Sequence, residues 1–343
     1  NQTQLKSLIR EIQQIDDDYT RLSLIIDLIP HVPPERKLGF IKTIWRQLMQ
    51  ITNAATRAHI LLKLAPLIES LDETPVASSS LMQIIKLAQD ISDQEARLRS
   101  LIALATHLPS TIGIKLQHRV LDELDESSND TLRCNMLSAL SKHLAKEVLV
   151  RALQCAEGID NAAERARALT ALAHNLPEEL RPRLRIEALK AIQTIQSEDE
   201  RAEALIAFAP HLEYATENQQ FPEILEQALA IAIEINRRPL RARVLVALAP
   251  HLTSDLQGEA LAAVHALDNE HDRAMLLAEL APTLPANMLV ASLAVAHTMR
   301  EQDARAHALT VLARYAPKLA QEQTRLDALA AASNLPHYFE RVT

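Results

Sequence analysis

Glycine is almost missing from this sequence, with four in 343 residues, and aromatic residues make up only 3%. Four scattered glycines cannot build the loop that cradles a nucleotide phosphate. So few aromatic rings leave little on which nucleobases would stack. The two cysteines, Cys134 and Cys155, have no CxxC spacing, and each stands where other parts of the chain place alanine or a small aliphatic residue. Buried free thiols are expected, rather than a disulfide or a metal site. Apolar runs are broken by charges well before about 18 residues, and no basic and apolar leader opens the sequence, so neither a membrane span nor a signal peptide is expected. A soluble cytoplasmic chain follows. The net charge of −8 offers no general attraction to nucleic acid or to anionic lipid.

What the sequence has in abundance is repetition. RAHILLKLAPLI begins at Arg57, RLRSLIALATHL at Arg97, RARALTALAHNL at Arg165, RAEALIAFAPHL at Arg201 and RARVLVALAPHL at Arg241. Aligned on this residue, the anchors are Arg21, Arg57, Arg97, Arg133, Arg165, Arg201, Arg241, Arg273 and Arg305. Four positions later stand Ile25, Leu61, Leu101, Leu137, Leu169, Leu205, Leu245, Leu277 and Leu309. Offsets 1, 4, 7, 8 and 11 make one apolar face at helical period. Upstream, offsets −6, −9 and −12 form a second apolar stripe, hence a second amphipathic helix. Between the two, offset −4 carries Asp17, Asn53, Asp93, Asn129, Asn161, Ser197 and Asn269, all residues suited to an N-cap. Proline at offset 9 (Pro30, Pro66, Pro210, Pro250, Pro282) or 12 (Pro33, Pro109, Pro177, Pro285, Pro317) is expected to end the arginine helix.

The unit is therefore a helical hairpin that cannot bury its apolar faces alone, so stacked neighbours must supply the core. This predicts an all-α fold: a solenoid of about nine hairpins in a right-handed superhelix. Anchor spacings are 32, 36 or 40 residues, and changes of about one helical turn keep the stripe nearly in phase. The polar stretches 69–80 and 213–222 are expected as long loops. We read 1–343 as one repeat domain: a partial unit over 1–15, repeats over 16–320, and a C-terminal helix and tail over 321–343. The uncapped start and the interrupted last turn suggest a piece of a longer protein.

The cap Asp or Asn followed by an arginine at the start of a helix, in unit after unit, resembles HEAT repeats. That resemblance implies an Asp/Arg ladder and places the arginine helix on the concave side. The hairpin with a terminal proline also resembles tetratricopeptide repeats, although their Trp, Leu-Gly and Tyr signature is missing. Degenerate arrays of this kind are similar to the sensor or scaffold portions of large bacterial signalling proteins.

An anchor about 40° from the centre of the apolar face must lay its stem on the core. An unpaired charge there would be costly, so each guanidinium is expected to cap carbonyls at a helix end or to pair with cap groups, as a structural ladder. His31, His107, His143, His211 and His251 share offset 10, on the expected last turn of the arginine helix, where an imidazole suits the dipole. Neighbouring units would separate them by about 10 Å, too far to share a metal. No HExxH, GxSxG or paired carboxylate in a defined pocket is present, and neither an enzyme, a cofactor nor a metal is expected. Trp45 falls at offset −12, where later units place leucine, and reads as core.

Offset 2 points away from the core: Ser23, His59, Arg99, Asn135, Arg167, Glu203, Arg243, Met275 and His307. Offset 6 is kept small by Ala103, Ala139, Ala171, Ala207 and Ala247. The expectation is a non-catalytic scaffold that binds a protein or peptide segment, acidic or phosphorylated, through His59, Arg99, Asn135, Arg167, Glu203, Arg243 and His307. The alternative is a spacer or assembly arm associating through the outer helices of residues 230–294. Early outer helices present Arg46, Lys86, Arg119 and Gln154, whereas late ones present Ala230, Ile233, Ala262, Ala291 and Ala294.

Overall fold

Each recurring arginine sits on its own helix, and each such helix is preceded by a companion. The computed structural model describes residues 2–68, 75–108, 110–173, 175–212, 221–267, 269–282 and 284–333. Two compact units divide the chain, 1–160 and 161–343. In the first, the arginine helices are α2 (Asp18–Leu28), α4 (Ala54–Ile68), α6 (Gln94–His107) and α8 (Asp130–Ser141). Their companions are α1 (Gln2–Ile12), α3 (Pro34–Leu48), α5 (Pro75–Gln89) and α7 (Ser110–Asp125), and α9 (Leu149–Glu157) follows. In the second unit the arginine helices are α10 (Ala162–Ala173), α12 (Glu198–Phe208), α14 (Arg238–Leu248), α16 (Glu270–Leu280) and α18 (Gln302–Tyr315). Here α11 (Arg181–Thr194), α13 (Phe221–Ile233), α15 (Ser254–His265) and α17 (Ala286–Thr298) are the companions that precede α12, α14, α16 and α18, and α19 (Lys318–Ser333) follows α18.

Stacking follows the repeat. In the first unit α2 packs on α4, α4 on α6 and α6 on α8, while α3 packs on α5 and α7 on α9. In the second, α10, α12, α14, α16 and α18 pack in succession, and α11, α13, α15 and α17 form a parallel row of companions. Among the described residues there is no strand, and the fold is an all-α solenoid of helical hairpins. The core runs along the seam between the two rows. All nine residues at offset 4, from Ile25 to Leu309, are at most 3% exposed. Burying one such side chain contributes about 1.5–3 kcal/mol, and the seam repeats it unit by unit. Trp45 is buried in this seam.

Helix starts are set by short polar side chains. Asp17 accepts from the Thr20 amide at 2.7 Å, Asn53 from Thr56 at 3.0 Å and Asp93 from Ala96 at 2.7 Å. Asn129 accepts from Leu132 at 3.0 Å, Asn161 from Glu164 at 3.0 Å and Ser197 from Glu200 at 3.4 Å. Asn269 accepts from both His271 and Asp272. These bonds satisfy amides that have no partner within the helix.

Several expected boundaries move. Pro66 does not end its helix but lies inside α4, which continues to Ile68. Full burial of Leu61, Leu64 and Ala65 holds that turn despite the missing amide. Pro30, Pro210 and Pro250 fall instead in short 3-10 turns, Ile29–His31, Ala209–His211 and Ala249–His251. There the lost i−4 bond is replaced by tighter i−3 bonding. Three of the offset-10 histidines, His31, His211 and His251, therefore stand on these turns, and His143 lies beyond the end of α8; only His107 is in the last turn of its α-helix. The expected loop over 69–80 is partly helix, because α5 begins at Pro75, where a fixed φ suits a first helical position. Likewise 221–222 open α13. Residues 69–74 and 213–220 lie outside the described residues, as does the tail over 334–343. Residues 2–12, expected as part of an incomplete unit, form α1, which packs on α2 as the companion of a full hairpin.

One glycine is required by packing. A Cβ on Gly113 of α7 would stand 2.7 Å from the carbonyl oxygen of Ala105 on α6, so only glycine lets these two helices approach as they do.

Candidate binding face

The anchor arginines turn inward. Arg21 donates to the Ile15 carbonyl at 2.6 Å, Arg57 to Ile51 at 2.6 Å and Arg97 to Ile91 at 2.7 Å. Arg273 donates to Leu267 at 3.1 Å and Arg305 to Met299 at 3.1 Å. Each acceptor lies six residues upstream, in the turn that joins the two helices of the hairpin, where companion-helix carbonyls lack a partner within the helix. The arginine thus ties the end of its companion helix to the start of its own. Arg97 adds an ion pair to Glu123 of α7, with Nε 3.0 Å from the carboxylate.

The row is not uniform. Arg133 reaches forward, to the Gly158 carbonyl at 2.7 Å and the Cys155 carbonyl at 3.1 Å, capping α9. A Cβ on Gly158 would lie 3.1 Å from that guanidinium. Arg165 reaches the Thr194 hydroxyl at 3.4 Å, and Arg241 reaches the Ile233 carbonyl at 3.5 Å. The Nε atoms of Arg57, Arg133, Arg201 and Arg241 are buried without a hydrogen-bond partner among the described residues.

Two further devices tie hairpins together, and sequence reasoning missed both. At offset −16, a position held by leucine or isoleucine in most units, stand Gln117, Arg185 and Gln257, all buried. Gln117 donates to the His143 carbonyl at 2.7 Å and accepts from the Ala145 amide at 2.9 Å. Arg185 donates to the His211 carbonyl at 2.8 Å. A buried polar residue on the companion helix thus holds the chain just after the arginine helix, at the offset-10 histidine, through that residue's backbone. The signal was a polar residue at a register otherwise apolar. The second device is Glu at offset −3. Glu198 accepts from the Asn236 and Arg237 amides, both at 3.1 Å, and Glu270 accepts from the Arg300 and Glu301 amides, both at 2.6 Å. The two receiving turns are those whose N-cap positions, Arg237 and Glu301, make no side-chain cap bond. The hydrogen bonds from Asn236 hold the Glu198 carboxyl below the usual carboxylate range.

The offset-2 residues occupy the other side of the arginine helices. His59, Arg99, Asn135, Arg167, Glu203, Arg243, Met275 and His307 are all exposed, whereas Ser23 is buried and accepts from Lys63, which also pairs with Asp27 at 3.0 Å. The structure places them in two sets: His59, Arg99 and Asn135 on successive helices of the first unit, and Arg167, Glu203, Arg243, Met275 and His307 on successive helices of the second. His59 meets Tyr19 edge to face, with ring centroids 6.0 Å apart. Arg99 is paired with Glu95 at 2.6 Å and Arg167 with Glu164 at 3.0 Å, each on its own helix. Arg243 forms no ion pair among the described residues. Beside this stripe, Ala139 and Ala207 are exposed and Ala103, Ala171 and Ala247 half-buried, so the surface between its members is low.

Among the described residues, no group of three His, Cys, Asp or Glu side chains is placed to hold a metal. Both cysteines are buried and neither is in a disulfide; burial, with Asp125 adding to it, pushes the Cys155 thiol up to about 12. It is a packed thiol rather than a nucleophile. Among the described residues, no helix is long and apolar enough to cross a membrane. On the companion helices of the second unit, Ala230, Ile233, Ala262, Ala291 and Ala294 are all exposed, as is Val290.

No protein-family model and no curated protein matches this chain. Among solved structures, the chain is similar to Ton1535 from Thermococcus onnurineus NA1, at 16% identity over 91% of this chain and 98% of that one, with a TM-score of 0.35. It is also similar to a circular tandem repeat protein with novel repeat topology and enhanced subunit contact surfaces, at 16% identity over 92% of this chain and 81% of that one, with a TM-score of 0.36.

Proposed function

We propose that this protein is a non-catalytic, HEAT-like interaction scaffold whose arginine-helix face binds an acidic or phosphorylated segment of a partner protein. The observation that carries this reading is the offset-2 stripe. In every hairpin but the first its residue is exposed, while its neighbours at offsets 1 and 4 are buried. Within either unit, a chain laid across the stripe meets one outward side chain per hairpin, above a floor kept low by alanine. Arg99, Arg167 and Arg243 supply guanidinium forks suited to carboxylate or phosphate, and His59 and Asn135 stand alongside. Two buried cysteines outside any disulfide suit a reducing compartment, and we place the protein in the cytoplasm.

The intramolecular pairs set the relative weights. A ligand must share Arg99 with Glu95 and Arg167 with Glu164, whereas Arg243 is already available. Each exposed contact is worth roughly 0.5–1 kcal/mol, so replacing all three arginines by alanine is expected to weaken binding about tenfold to a hundredfold and to flatten its salt dependence. Arg243→Ala alone should account for the largest single loss. Titration of the natural partner into parent and triple variant tests this, and equal affinities would end the proposal.

The exposed residues Ala230, Ile233, Ala262, Ala291 and Ala294 favour a second reading, an assembly arm that associates through the companion helices of the second unit. Concentration-dependent size separates the two: the arm assembles unaided, while the scaffold stays monomeric until its partner arrives.

A further inference from the structure

The stripe of the second unit is not a plain row of positive charge. Along α10, α12, α14 and α16, which pack in succession, it presents Arg167, Glu203, Arg243 and Met275. The order is base, acid, base, apolar. Glu203 and Arg243 are exposed and form no ion pair among the described residues, and Met275 is 49% exposed. A uniform polyanion would gain from Arg167 and Arg243 but would place a like charge on Glu203.

Helix packing converts this order into a sequence requirement. Packed helices lie roughly 8–10 Å apart. A peptide in the extended polyproline II conformation rises about 3.1 Å per residue and turns once in three, so side chains three residues apart lie on one face and address successive helices. We infer that the second unit recognises an extended segment carrying an acid, a base, an acid and an apolar residue at steps of three, facing Arg167, Glu203, Arg243 and Met275 in turn. This rests on the proposal that the arginine-helix face is the binding face, and adds the partner's charge pattern. Arg167 keeps its bond to Glu164 while offering its remaining donors, since a guanidinium carries five. Glu203 is the selective element: it rejects segments acidic throughout and accepts those with a base at the second step.

Three synthetic twelve-residue peptides with glycine and serine spacers provide the test. One carries Asp, Lys, Asp and Leu at every third position, one has the same composition scrambled, and one carries Asp at all four positions. Binding to the full chain is followed through the methyl resonance of Met275. The patterned peptide is expected to shift that resonance with an affinity about tenfold above the all-acid peptide, the difference produced by reversing the charge opposite Glu203 and replacing the leucine opposite Met275. The scrambled peptide should bind more weakly than the patterned one. Glu203→Lys is expected to invert the order, so that the all-acid peptide binds best. If the parent chain binds the all-acid peptide as tightly as the patterned one, or Glu203→Lys leaves the order unchanged, the pattern is wrong while the acidic-segment proposal stands. If none of the three binds at millimolar concentration, both are overturned.

Discussion

Gln117 and His143 sit on opposite sides of one hairpin and are joined through the backbone, the Gln117 amide donating to the His143 carbonyl at 2.7 Å. The same side chain accepts from Ala145 at 2.9 Å, so a single buried amide satisfies both a donor and an acceptor in the turn that follows α8. Other units place leucine at this register, among them Leu149, Leu225 and Leu289, all buried. Gln117→Leu should nevertheless lower stability by about 1–3 kcal/mol, because it leaves a buried carbonyl and amide without partners. Urea denaturation measures this, and a variant as stable as the parent would show that the turn repacks or takes up water.

The anchor arginines should not be equivalent. The Nε of both Arg57 and Arg201 is buried without a partner, but Arg57 also has a 2.6 Å bond to the Ile51 carbonyl, and no such carbonyl bond is found for Arg201 among the described residues. Arg57→Met is expected to cost about 1–3 kcal/mol, and Arg201→Met less than about 1 kcal/mol, since the apolar stem is kept and no strong bond is lost. Paired thermal unfolding of the two variants checks the order.

Gly113→Ala should destabilise the first unit by about 1–3 kcal/mol, the usual range for overpacking. The atom met by the new Cβ is a backbone oxygen, which cannot rotate away as a side chain would. At most exposed helical sites the same change stabilises. A rise in unfolding temperature for Gly113→Ala would contradict the close approach of α7 and α6.

Glu198 predicts a dependence on pH. Its carboxyl is held below its ordinary value by the Asn236 hydrogen bonds, so the folded state binds the proton less readily than the unfolded chain. Its contribution is therefore fully present above the unfolded value, near 4.5, and is lost as pH falls through the lower folded one. Glu198→Gln should remove this part of the acid sensitivity, seen as a smaller difference between parent and variant at low pH than at neutral pH. A difference independent of pH would assign the bond no role in linkage.

Both thiols should resist a thiol reagent in the native protein at pH 8, and both should react once the chain is unfolded. Burial keeps Cys155 protonated there, with its value pushed up to about 12. Rapid native labelling of Cys155 would mean that α9 opens readily from its neighbours.

The hairpin architecture was legible because its causes are local and repeated. A cap residue at offset −4 has the first-turn backbone amides within reach, and all seven cap positions named from the sequence bond to one or two of them. The apolar stripe at offsets 4 and 7 specifies a buried face whatever covers it, since helical period alone puts those side chains on one side. The same period made the exposed stripe of Arg99, Asn135, Arg167, Glu203 and Arg243 readable. Proline was less informative, because its effect depends on the packing around it: Pro66 is carried inside a helix by the buried residues beside it, while Pro30, Pro210 and Pro250 tighten the chain into a 3-10 turn. What only the tertiary structure decided is which groups meet across helices. Arg133 caps α9 instead of its own hairpin, Glu198 serves the turn of the next unit, Gln117 reaches a backbone carbonyl 26 residues away, and Glu95 and Glu164 occupy two of the outward arginines. Those choices depend on helix separation and rotation to within a hydrogen bond's length, and a linear pattern of residue types carries no such distances.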